Sequence, residues 1–183
     1  MNYYRLHDDI TKVNRWYLGD INYEDIWDFT SGRADLSGDF PAIRVRLDKQ
    51  GIELDYTETD ADEVPIVSKR LADQLSNFLE DIQLIPIKVE STETNYFILN
   101  VKYKVGCLDE KRSIFQKFET NDEIRPDLAG DYKAVNPLFI DPDKVNRNIF
   151  RLDKYDIVII VSEHVKNKLE KVELSGLKFN LIS

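Results

Sequence analysis

The residues able to do chemistry are few. The chain carries two histidines, His7 and His164, and one cysteine, Cys107. His164 lies two residues after Ser162. Residues two apart on a helix do not face each other, so this pair does not read as a nucleophile and its base. His164 reads instead as an exposed, incidental side chain. Cys107 follows Val105-Gly106 and precedes Asp109-Glu110-Lys111-Arg112. A thiol nucleophile needs a base to activate it, and none lies nearby, so Cys107 reads as a small buried residue. No cysteine pair and no histidine pair at helical spacing offers a metal site. Asp60-Ala61-Asp62-Glu63 opens like a calcium loop. Its fifth and sixth positions are Val64 and Pro65, where an oxygen ligand and a glycine are needed. Gly32 and Gly38 are not followed by the Lys-Ser/Thr of a phosphate loop. No metal and no cofactor is expected. Acid–base work by paired carboxylates stays open, because pairing in space is not written in sequence.

The placement of charge is more informative than any motif. Formal net charge is −9. From Gln50 to Ser68 there is no Lys or Arg, yet Glu53, Asp55, Glu58, Asp60, Asp62 and Glu63 are present. From Asp20 to Asp39 six acids face one base, Arg33. From Lys144 to Lys171 the balance reverses, with seven bases against four acids. Negative charge is thus concentrated in the first third. Such a field speaks against general nucleic-acid binding, which needs a basic face. It suits a protein that attracts and blocks a basic surface. The plainer alternative is a solvated loop whose charge keeps the chain soluble.

Several elements must position these acids. Tyr3-Tyr4-Arg5-Leu6 reads as a short strand, and Asn14 to Gly19 as a segment closed by a glycine turn. Tyr23 to Phe29 reads as a short helix. Ile43 to Leu47 and Ile52 to Tyr56 alternate apolar and polar residues around Asp48-Lys49-Gln50-Gly51, which predicts a β-hairpin. Val64-Pro65-Ile66-Val67 predicts a strand, and Ser68 caps a helix with Leu71, Leu75, Phe78 and Leu79 on one face. Leu84 to Val89 is a further strand, and Tyr96 to Val105 a long alternating one. Glu119 to Tyr132 reads as an irregular excursion. The strand–Ser–helix–strand pattern then returns: Ile157 to Val161, the cap Ser162, a stripe of Val165, Leu169 and Val172, a stop at Gly176, and alternation through Leu177, Phe179 and Leu181. Ser68 and Ser162 are 94 residues apart, with Leu71, Leu75 and Phe78 matching Val165, Leu169 and Val172 at that offset. The match is either a degenerate internal repeat or a common unit used twice. The expected fold is α+β, a mixed or antiparallel sheet of roughly seven or more strands with hairpins and the two strand–Ser–helix–strand units.

At 183 residues, with 42% hydrophobic and 32% charged residues, residues 1–183 are expected to form a single domain with an ordinary core. The longest apolar run, Ile157 to Val161, is of strand length, so no membrane partner is expected. One cysteine and no secretory leader at the N-terminus suit the cytoplasm.

The run of motifs resembles the eleventh-numbered immunity-protein family of bacterial polymorphic toxin systems. The resemblance is carried by Tyr3-Tyr4-Arg5-Leu6, Asn14-Arg15-Trp16-Tyr17-Leu18-Gly19, Val64-Pro65-Ile66-Val67-Ser68, Ile85-Pro86-Ile87 and Tyr96 to Val101. Cys107 to Ser113, Asn148 to Leu152, Val161-Ser162-Glu163 and Leu174 to Phe179 extend it to the C-terminus. It implies an α+β protein that binds and neutralises a cognate toxin domain, with no cofactor and no catalytic residue. The toxin would be a nuclease or another effector with a basic surface. The resemblance does not name the interface. Charge asymmetry points to Asp35 and Asp39 in the Gly-flanked loop and to Asp55, Glu58, Asp60, Asp62 and Glu63. Trp16 and Phe150 are expected in the core. The competing expectations are an enzyme with a carboxylate site and a non-catalytic adaptor subunit.

Overall fold

The structure is a computed structural model and describes residues 1–30, 42–60 and 63–183. Its elements in chain order are β1 (Tyr3–Asp8), β2 (Tyr17–Ile21), α1 (Trp27–Thr30), β3 (Arg44–Lys49), β4 (Tyr56–Glu58), β5 (Pro65–Ser68), α2 (Lys69–Leu75), β6 (Ile82–Val89), β7 (Tyr96–Val101) and β8 (Lys104–Val105). There follow β9 (Phe115–Lys117), β10 (Tyr132–Val135), β11 (Ile149–Leu152), β12 (Tyr155–Ser162), α3 (Glu163–Glu170) and β13 (Leu177–Leu181). The fold is α+β, as expected. A six-stranded sheet runs β2-β3-β6-β7-β5-β4, a five-stranded sheet runs β13-β1-β12-β11-β8, and β9 pairs with β10. Among the described residues no helix is long and apolar enough to cross a membrane.

The two strand–Ser–helix–strand units are one arrangement used twice. In the first, β5 and β6 both pair antiparallel with β7, which lies between them. In the second, β12 and β13 both pair antiparallel with β1. The registers correspond: Ser68 lies opposite Tyr96, and Ser162 opposite Tyr3. The hydroxyls of Ser68 and Ser162 accept the third amide of their helices, from Leu71 and Val165, satisfying donors the helix itself cannot. Each hydroxyl also donates to a side chain just ahead of the neighbouring strand, Asp55 at 2.7 Å and Asn148 at 2.8 Å. The first helical amides of Lys69 and Glu163 donate to Asn95 and Asn2, the residues preceding β7 and β1. The intervening strand comes late in the first unit (Tyr96-Phe97-Ile98-Leu99) and from the N-terminus in the second (Tyr3-Tyr4-Arg5-Leu6). Both helices bury their apolar stripes in a shared core of Leu71, Leu75, Val165 and Leu169. A second core lies around Trp16, Phe29 and Tyr96, and a third around Cys107 and Phe150. Trp16 and Phe150 are therefore core residues, as expected.

Four local expectations are corrected. Ile43 to Leu47 and Ile52 to Tyr56 do not form a hairpin. β3 is flanked by β2 and β6, and β4 starts only at Tyr56 and pairs with β5. The chain after β3 instead bonds the stretch ahead of β2, with Ile52 N–H donating to Asn14 C=O at 2.7 Å and Trp16 N–H to Ile52 C=O at 3.2 Å. Gly51 permits this approach: a Cβ there would lie 2.3 Å from the Arg15 carbonyl carbon. Gly19 does not close a turn but lies inside β2. Leu79 is not on the buried helical face. After Leu75 the backbone tightens to a 3₁₀ turn over Ser76–Phe78, which rotates Leu79 outward to 49% exposure. The long strand from Tyr96 ends at Val101, and Lys104–Val105 joins β11 in the other sheet.

Candidate functional site

The acids singled out by charge are divided by the fold into inward and outward groups. Asp35, Asp39 and Asp62 lie outside the described residues. Asp55 is buried immediately before β4. Its Oδ1 accepts the Ser68 hydroxyl at 2.7 Å, and its Oδ2 accepts the Ser175 amide and hydroxyl at 2.8 and 3.0 Å. Asp55 thereby joins the cap of α2 to the segment that leads into β13. Glu58 ends β4, and its carboxylate accepts the Tyr56 hydroxyl at 2.9 Å. Burial pushes the Glu58 carboxyl up to about 7, against an opposing contribution from the Tyr56 hydrogen bond and with help from the charges of Asp8 and Glu63. Asp60 and Glu63 are exposed. They sit in the tight connection from β4 to β5, where Glu63 N–H donates to Thr59 C=O and Val64 N–H to Thr59 Oγ1, both at 3.1 Å. Asp60 N–H donates to Leu18 C=O at 2.9 Å, which fastens the connection to β2. The exposed Asp20 lies on the same strand and pairs with Arg46 at 2.9 Å. Asp60 and Glu63 thus stand on a braced edge beside β2.

Beneath that edge lies a charged network that sequence reasoning missed. Asp8 and Arg15 form a buried two-pronged ion pair at 2.5 and 2.7 Å. Asp8 Oδ2 also accepts the Glu58 amide at 3.1 Å. Arg151, only 1% exposed, donates to the Asp156 carbonyl at 2.5 Å and to the Phe29 carbonyl at 3.4 Å. Burial lowers its pKa, opposed by the nearby Tyr56, Asp156 and Glu58. Local sequence carries no signal for the Arg151 contact to Phe29, since the two are far apart in the chain.

The chemistry this arrangement can perform is limited. Cys107 lies in the third core, and burial pushes its thiol up to about 12, where no thiolate forms near neutrality. His164 stacks edge-on against Phe78 and remains exposed. Among the described residues no group of three His, Cys, Asp or Glu side chains could hold a metal. A cleft of about 770 Å³ borders the third core. Asp109, Glu110, Asp141 and Asp153 line it together with Lys111, Lys144 and Lys154, and none of the described predicted acids is among its lining residues. The outward acids face solvent, and the inward ones hold the scaffold.

Residues 41–183 match the model of a family described as Immunity protein family (Imm11). The match takes in both strand–Ser–helix–strand units up to the C-terminus, and starts after β1 and β2. No curated protein matches the chain.

Proposed function

The chain belongs to the immunity protein family Imm11, and from that premise we propose that it binds one cognate toxin domain and blocks it by occupying its surface, without chemistry of its own. The family match carries this reading. The geometry supports it, because Asp60 and Glu63 project from a connection fixed at both ends and so present charge without losing much conformational freedom on binding. Their partner is a basic surface such as a nuclease presents to phosphate.

The test expresses the products of the genes flanking this one, one at a time, in a heterologous bacterium with and without this chain. One product should arrest growth alone and be tolerated when the chain is present. Absence of any rescued product would overturn the reading. With that product in hand, the double charge reversal Asp60→Lys, Glu63→Lys should weaken binding and flatten its salt dependence. Unchanged affinity would remove this edge from the interface. Among the described residues Glu58 is the one that favours a carboxylate enzyme, since burial sets its carboxyl at about 7. Full rescue by Glu58→Gln would exclude that alternative.

A further inference from the structure

The surface holds a second feature that charge does not account for. Trp27, the first residue of α1, is 62% exposed, and Ile124 is 86% exposed. Ile124 is followed in the chain by Arg125, whose guanidinium carbon lies 5.6 Å from the centre of the Trp27 ring. The backbone at these residues and the Arg125 guanidinium are held by hydrogen bonds. The Ile124 and Arg125 amides both donate to Asp122 Oδ1, at 3.0 and 2.9 Å. The Arg125 guanidinium forks onto Asp127 at 3.0 and 2.8 Å. The Trp27 amide donates to Asp25 Oδ1 at 3.2 Å. An exposed indole lies against an arginine held by an ion pair, and an exposed branched aliphatic residue precedes that arginine in the chain. Tryptophan and arginine are the residue types that dominate binding energy at protein interfaces, and pre-ordered side chains lose little freedom on docking.

The rim specifies the partner. Glu24, Asp25, Glu123 and Asp127 are exposed neighbours of the patch in sequence. Arg125 is already matched by Asp127, and Lys133 is drawn toward Asp122 at 3.7 Å. An apolar centre with a negative rim fits a surface that has a socket for an indole and lysines or arginines around it.

We propose that Trp27, Ile124 and Arg125 form the apolar centre of the toxin-binding face, and that the toxin presents a basic-rimmed apolar socket to them. The proposal rests on the immunity reading, and names the contact that supplies most of the affinity.

The probe is the rescued gene product from the growth assay, purified as an inactive variant and titrated calorimetrically into the chain. Trp27→Ala should weaken binding about thirtyfold or more. Ile124→Ala should weaken it about fivefold, and both variants should keep the thermal midpoint of the parent. Fluorescence gives an independent readout, because the chain has only two tryptophans and Trp16 is 1% exposed. On saturation the parent's emission should shift to the blue relative to a Trp27→Phe control, as the Trp27 indole leaves water. Trp27→Ala affinity within twofold of the parent, with no difference in emission shift from the control, would overturn this proposal and leave the immunity reading standing. Failure of the parent chain itself to bind would overturn the immunity reading, and this proposal with it.

Discussion

Replacing Glu58 with glutamine should make the protein's stability less dependent on pH, by an amount that follows from where the carboxyl sits. Burial raises its pKa from an ordinary 4.5 to about 7 in the folded state. The folded protein therefore holds this proton at pH values where the unfolded chain has released it. The stability linked to the proton is complete below about pH 4.5 and is lost as pH rises toward about 7. Between about pH 5 and about pH 8 the loss comes to about 2.5 kcal/mol. Glutamine keeps an oxygen to accept the Tyr56 hydroxyl and has no charge to desolvate. Urea unfolding of both proteins at the two pH values gives the difference directly. Subtraction matters because His7 works in the opposite direction. Burial and the charge of Arg5 lower its pKa, so its contribution is lost as pH falls through and below 6.5. His7 is common to both proteins and cancels. The variant should gain about 2 to 3 kcal/mol on the parent between the lower and higher pH. A difference that stays within about 0.5 kcal/mol across the range would refute the inference that the Glu58 carboxylate is desolvated.

Three further outcomes follow from the structure. Asp55→Ala removes three hydrogen bonds to a buried carboxylate and strands Ser68 and Ser175, so it should cost about 3 to 5 kcal/mol in urea unfolding. Asp60→Asn and Glu63→Gln, at exposed positions, should each stay within about 0.5 kcal/mol in the same assay. Gly176→Ala should cost about 3 kcal/mol or more by thermal unfolding, because the backbone there has φ +85° and the new Cβ would lie 2.1 Å from the Tyr56 carbonyl oxygen.

Local physics settled much of this protein in advance. Ser68 and Ser162 ahead of apolar stripes at helical spacing were enough to place two capped helices, because a cap and a stripe are read within one turn of chain. Alternation placed β3 and β13 for the same reason, and short aromatic or apolar runs placed β1 and β12. The equal spacing of the two units was visible, and their common topology was not, since one unit takes its middle strand from the N-terminus. Strand partners were likewise hidden. The segment after Gly51 alternates as a hairpin arm should, yet pairing is a contest between distant segments, and the stretch ahead of β2 holds it.

The same holds for the site. Asp55 and Asp60 are five residues apart and chemically identical, and nothing between them says that one ties two segments together while the other faces water. Trp16 and Trp27 divide in the same way, one in the second core and one in solvent. Composition and order determined that the chain is an acidic α+β protein with the motifs of an immunity family. Only the tertiary structure decided which acids are scaffold and which aromatic residue is exposed, because burial depends on what long-range packing brings above a side chain.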